Sequence, residues 1–200
     1  TMADPEQVRL LQAGAEAWNA WRQIAPGVKP DLSHADLSEA RLDGADLSGA
    51  DLSGASLAGC LLAGASFAGA TLVEASFRAA SLRCADFSDA VLDHADFREA
   101  TCVSSLFWDA AMHETSLAGA NLRGCDLAGA ALVGANCTGT TFADADLTET
   151  DLTGVWLVGA NLARADLTGA ILHGAVLLGA DMANVLFSHE VGDQRPDRFM

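Results

Sequence analysis

The feature that most constrains this chain is a period of five. Beginning at Leu32, every fifth residue is large and apolar: Leu32, Leu37, Leu42 and onward through Phe67, Cys102, Phe107, Met112 and Leu127 to Leu177, Met182 and Phe187. These 32 consecutive positions hold 21 Leu, 7 Phe, 2 Met and 2 Cys, and the phase never slips. Two residues ahead runs a second series, Ala35 to Val185, with Ala at 23 of its 31 positions. An α-helix repeats about every 3.6 residues and a strand about every 2, so neither serves a period of five. A path that turns a corner every five residues does. On each side one large and one small apolar residue then face inward, and the recurrent Gly of the fifth place, as at Gly44, Gly49 and Gly54, suits a tight turn.

The units Ala45-Asp46-Leu47-Ser48-Gly49, Ala50-Asp51-Leu52-Ser53-Gly54 and Ala120-Asn121-Leu122-Arg123-Gly124 resemble the pentapeptide-repeat family, and the resemblance runs over about residues 31–188. It implies an all-β solenoid, a right-handed quadrilateral β-helix with four pentapeptides per coil. The repeats then make about 8 coils and, at ~4.8 Å per coil, a rod roughly 38 Å long. Coils of a solenoid bury their apolar residues only against one another, so both ends call for caps.

Residues 1–30 are expected to hold an N-terminal capping α-helix and a linker. Pro5 to Ile24 reads as one helix, with Asp4 as N-cap and Pro5 as first helical residue. Leu11, Ala15 and Trp18 fall on one face with Val8 beside them, and Leu10, Trp21 and Ile24 widen it. Leu11, Trp18 and Trp21 are the candidate cap residues; the alternative is a docking helix that presents Trp18 and Trp21 to a partner. Leu10 to Arg22 also resembles a Leu-Leu-x-x-Gly-x-x-x-Trp-Asn-x-Trp-Arg pattern that precedes the repeats in family members, which implies a cap. Residues 189–200 read as a polar C-terminal tail, with Phe199 a candidate to fold back over the last coil.

The chain carries 27 acids against 11 Lys and Arg, a net charge of −16. Nucleic acid and anionic membrane surfaces repel such a chain, so no direct nucleic-acid binding and no membrane partner is expected. No apolar run approaches the ~18 residues of a membrane span. Thr1 to Gln7 holds acids and no basic stretch, so no secretory signal is expected. The five cysteines are odd in number and show no CxxC spacing, which points to a reducing cytoplasm. Cys102 and Cys137 fall in the inward Leu series and Cys60 and Cys125 in the inward Ala series, leaving Cys84 at a corner.

No GxSxG, P-loop, HExxH or dinucleotide-binding glycine pattern occurs, so neither an enzyme nor a cofactor is expected. Residues twenty apart should stack one coil apart. That places His113 over Asp93 and Glu114 over His94: a conceivable metal set, but more plainly two charge pairs. An acidic column, Asp126, Asp146 and Asp166, continues on the side that holds Asp46 and Asp86. The repeat region has 21 acids and 6 Arg, about two thirds of the ~22 charges that duplex DNA carries over the same length. Apolar residues also face outward: Trp156, Val158, Val176 and Leu178 on two adjacent coils, and Leu106 and Trp108 around Phe107. The reading is a non-enzymatic protein-interaction scaffold, its protein partner including a second copy of the chain through the Trp156 patch. The alternative, implied by the resemblance, is a DNA mimic that binds a type II topoisomerase such as gyrase and protects or inhibits it.

Overall fold

The computed structural model describes residues 3–187. Residues twenty apart are joined by single parallel bridges, one every five residues, from Asp31 with Asp51 and Asp36 with Ser56 to Asp166 with Leu186. Twenty residues therefore make one circuit, with a bridge on each of four sides. Each side ends in a turn whose fifth residue is left-handed: φ is positive at every fifth place from His34 to Asn184, whether or not the residue is Gly.

The backbone amides of one unit account for this shape. The first N–H reaches back to the preceding circuit, as Ser56 does to the Ala35 carbonyl at 2.9 Å. The N–H of the inward large residue reaches forward, as Leu57 does to the Ser76 carbonyl at 2.7 Å, and so does that of the fifth, as Gly59 does to Arg78 at 2.9 Å. The N–H of the small inward residue closes the turn, as Ala55 does on the Leu52 carbonyl at 2.9 Å. Only the N–H after the inward Leu is left over. Buried or half-buried donors need partners, and the preceding Asp supplies one: Asp51 Oδ1 accepts from the Ser53 N–H at 3.0 Å. The Asp-Leu-Ser/Thr order of the units thus follows from hydrogen-bond accounting.

The interior is filled by the two apolar series. Phe67, Phe87 and Phe107 stack along one column at centroid spacings of 4.7 and 4.9 Å. Phe77 and Phe97 stack at 4.7 Å along another. The two columns meet edge-on, as between Phe67 and Phe77 at 5.4 Å, the arrangement the ring quadrupole favours. Where the Ala series admits a polar residue, it donates to an inward residue's carbonyl: Ser105 Oγ to Leu82 at 2.6 Å, Thr140 Oγ1 to Leu117 at 2.7 Å, Cys60 Sγ to Leu37 at 2.9 Å. Among the described residues no buried side-chain nitrogen or oxygen lacks a partner.

The N-terminal segment is two helices rather than the one expected: α1, Pro5–Gln12, and α2, Ala15–Ile24. Gly14 separates them at φ 115, a value that interrupts any helix. Asp4 caps α1 as expected, accepting from the N–H groups of Glu6 and Gln7. Leu11 and Trp18 are fully buried and Trp21 is half-buried, its ring 4.9 Å from that of Trp18. Ile24 does not join this face; it is the last residue of α2 and is 82% exposed. The burial of Trp18 leaves it no surface to offer a partner, which removes the docking-helix alternative at that residue.

The hairpin of helices supplies to the first circuit what a preceding circuit would. Gln7 Oε1 accepts the Asp31 N–H at 2.9 Å and Asn19 Oδ1 the Asp46 N–H at 2.8 Å. Trp18 Nε1 donates to the Asp46 carbonyl at 2.6 Å, and Arg22 Nη2 to the Ser48 carbonyl at 2.9 Å. The fold-back expected of Phe199 lies outside the described residues.

Candidate interaction surfaces

On the acidic side, bridges run from Asp86 through Leu106, Asp126 and Asp146 to Asp166. Each Asp uses one carboxylate oxygen to cap its own turn: Asp126 accepts from the Ala128 N–H at 3.0 Å, Asp146 from Thr148 and Asp166 from Thr168, both at 2.9 Å. Sequence reasoning found the column but missed this second duty. The signal was present in the spacing of Asp two residues before Ser, Thr or Ala throughout the repeats, the pattern of an Asx turn. At the head of the same side, Asp46 pairs with Arg22 at 3.3 Å. Burial pushes its carboxyl up, but the Ser48 hydroxyl and N–H and the Arg22 guanidinium together hold it below the ordinary value.

The C-terminal apolar residues lie on the opposite side, where Trp156 bridges Val176 and the Leu157 N–H donates to the Val176 carbonyl at 2.8 Å. Trp156 is 57% exposed, Leu178 54% and Val176 37%, while Val158 is half-buried between them. Trp156 and Val176 occupy the turn-capping place of their units. Asp36, Asp96 and Asn136 fill that place on the same side and accept the N–H groups of Ser38, Arg98 and Thr138. Trp and Val cannot, so each forgoes a hydrogen bond worth about 1 kcal/mol and exposes apolar surface besides. Leu106, 42% exposed, does the same between the capping Asp86 and Asp126, and Trp108, 49% exposed, stands beside it. Val91 and Ile171 stand on another side with no exposed large neighbour in the bridge column between them, where Ala111, Ala131 and Asp151 intervene.

The histidine cluster resolves into two pairs. His113 Nδ1 lies 2.7 Å from Asp93 Oδ1, which also accepts the His113 N–H at 3.0 Å, and His94 Nδ1 lies 3.4 Å from Glu114. No group of three or more such side chains among the described residues is arranged to hold a metal ion. Acids on these other sides find further cations: Asp96 pairs with Arg98 at 2.6 Å, and Asp144 with both Arg123 and Arg164. All five cysteines are free, and only Cys84 is exposed. Burial pushes the Cys60 thiol up to about 11 and that of Cys125 to about 12, so both stay protonated and serve as small core residues. No described helix is long and apolar enough to cross a membrane.

Among solved structures the chain is similar to HetL, a pentapeptide repeat protein involved in heterocyst differentiation regulation in the cyanobacterium Nostoc, at 28% identity over 83% of this chain and 94% of that one, with a TM-score of 0.40. It is similar to QnrB1, a plasmid-mediated fluoroquinolone resistance protein, at 25% identity over 82% of this chain and 84% of that one, TM-score 0.49. A third is a pentapeptide repeat protein of the Arabidopsis thaliana thylakoid lumen, at 29% identity over 62% and 66%, TM-score 0.23. No curated protein matches the chain significantly. The family described as pentapeptide repeats matches it in 8 copies, over residues 31–64, 60–98, 90–127, 120–157 and 157–188. Proteins of that family fold as right-handed β-helices. The unbroken period of five, the bridges that join residues twenty apart and this match agree: the chain belongs to the pentapeptide-repeat family.

Proposed function

We propose that this protein is a non-enzymatic protein-binding scaffold of the cytoplasm, a rigid right-handed rod of about eight circuits whose Trp156 side is an interface for a second copy of the chain. One observation carries the reading: Trp156 and Val176 stand where Asp or Asn would close a turn, so these positions forgo local stability for an exposed apolar face. Two-fold pairing would set the Trp156 of one copy against the Leu178 of the other, the self-complementary contact that symmetric dimers use. Light scattering tests it. The wild type should be a dimer, and Trp156→Glu with Leu178→Glu should give a folded monomer; a monomeric wild type would exclude self-association.

A second reading is favoured by the Asp126, Asp146 and Asp166 column, which sets carboxylates at the ~4.8 Å spacing of the circuits. A rod that imitates duplex DNA on this side would bind a type II topoisomerase and inhibit supercoiling by gyrase. Replacing all three with Asn would then abolish inhibition, as would raising salt. The scaffold reading expects no inhibition by the wild type.

A further inference from the structure

The acidic side differs from a uniform negative rod in its middle. Over residues 85–89, 105–109, 125–129, 145–149 and 165–169 it holds seven acids and no Lys or Arg. Six acids elsewhere, Asp46, Asp93, Asp96, Glu99, Glu114 and Asp144, pair with Arg or His; none of these seven is in an ion pair among the described residues. In the midst of them Leu106 takes the capping place between Asp86 and Asp126, and Trp108 lies beside it, in register with Ser88 and Ala128 on the adjoining circuits. The corner beyond Trp108 is acidic on two successive circuits, Asp89 and Asp109, and the Asp89 N–H donates to the Trp108 carbonyl at 2.9 Å. Beneath this spot runs the stacked column of Phe67, Phe87 and Phe107, so the anchor pair is mounted on a packed part of the core.

An exposed indole and leucine ringed by unpaired carboxylates suit one chemistry above others. A guanidinium stacks on an indole face while its edge forks onto a carboxylate, and it is less strongly hydrated than an ammonium. Nucleic acid and acidic partners are repelled. A partner drawn by charge alone would gain nothing from Leu106 and would be better served by Asp there, which would also cap the turn. We propose that this side, centred on Leu106 and Trp108, docks an arginine-bearing segment of a partner protein, with an arginine stacked on Trp108 and its neighbours held by the flanking aspartates. The inference rests on the scaffold reading but uses a different side of the rod.

The test is fluorescence anisotropy with the full chain and a labelled peptide of alternating Arg and Ala, beside a twin in which every Arg is Lys. The Arg probe should bind about tenfold more tightly than the Lys twin, and Trp108→Ala should remove that preference. Leu106→Asp is the decisive variant, because it adds a negative charge and restores the turn cap, so the fold is kept. It should weaken binding about tenfold, the change expected from losing an apolar anchor. Equal or tighter binding by Leu106→Asp, or equal affinity for the two probes, would reduce the side to a charged surface and overturn the proposal. Trp156→Glu with Leu178→Glu should bind the probe as the wild type does, so loss of the dimer and loss of this docking are read separately. Arg195→Ala with Arg198→Ala should also leave binding unchanged; a large gain would make the chain's own arginines the occupant and overturn a partner in trans.

Discussion

The side-chain amide of Asn19 fills two backbone places at once: its Oδ1 accepts the Asp46 N–H at 2.8 Å and its Nδ2 donates to the Gly44 carbonyl at 2.9 Å. A β-helix cut across its axis presents unpaired N–H and C=O groups, each a template for another chain. Asn19, Gln7, Trp18 and Arg22 close that end with side chains instead of a further circuit. Trp18→Phe keeps one aromatic ring but loses the N–H bond to the Asp46 carbonyl and part of the buried indole, so it should cost about 1–3 kcal/mol. Trp18→Ala also empties a fully buried site and should cost about 3–5 kcal/mol. Denaturant melts of the two variants separate the terms; equal losses would mean that the indole nitrogen does all the work of the cap.

Docking of the cap should also depend on acid. The Asp46 carboxyl titrates below its ordinary 3.8 in the folded chain, so its contribution is present in full above that value and is lost as pH falls through the lowered one. Thermal melts below pH 4 should therefore show a smaller decline for Asp46→Asn than for the wild type. Parallel declines would mean that Asp46 holds no charge-dependent share of the docking.

Inside and outside are one residue apart on the acidic side. Leu127 is fully buried, and Leu127→Asp puts an unpaired carboxylate into the apolar interior, a loss of about 4 kcal/mol or more. Asp126→Asn keeps the cap on Ala128, as Asn121, Asn136 and Asn161 do elsewhere, and relieves repulsion from Asp146. It should be neutral or slightly stabilising, whereas Asp126→Ala forfeits the cap at about 1 kcal/mol. An Asn variant as damaging as the Ala variant would show that the charge, not the cap, is what matters at this position.

The left-handed corners offer a graded test. Gly64 has φ 66 and open space around the missing Cβ, so Gly64→Ala should cost about 1 kcal/mol for the conformation alone. At Gly129 the Asp109 carboxylate lies where a Cβ would go, and Gly129→Ala should cost more, because that side chain must also move. Asp109→Ala together with Gly129→Ala should return the cost to that of Gly64→Ala. Thermal melts showing equal losses for the two single variants would mean that Asp109 is free to swing away.

Much of this was legible in the chain because a strict period leaves little freedom: the phase of Leu32 to Phe187 assigns every inward position, and twenty-residue stacking placed His113 over Asp93 and Trp156 beside Val176. Most of what escaped was set by single residues outside the repeat. Gly14 splits the N-terminal helix, and the amphipathic pattern on either side gives no sign of it. Asn19 and Gln7 are polar residues on a capping hairpin, and nothing in their neighbours says that the missing circuit needs them. The aspartates of the repeat were read as charge and not as caps: the Asx-turn spacing was there, but the N–H that needs it stands out only once the other four places of the unit are paired.

Outward apolar residues at capping places serve an interface and not the fold, and the variant that separates the two roles is Trp156→Asp. Asp at this place would accept the Val158 N–H as Asp36 accepts that of Ser38 and Asp96 that of Arg98. Mass by sedimentation equilibrium and stability by chemical melt should be measured on the same sample, at a concentration where the wild type is dimeric. The mass should fall to that of one chain while stability, compared with a wild type diluted to monomer, is unchanged or rises by about 1 kcal/mol. An unchanged mass with a clear loss of stability would contradict it, and would make Trp156 part of the fold instead.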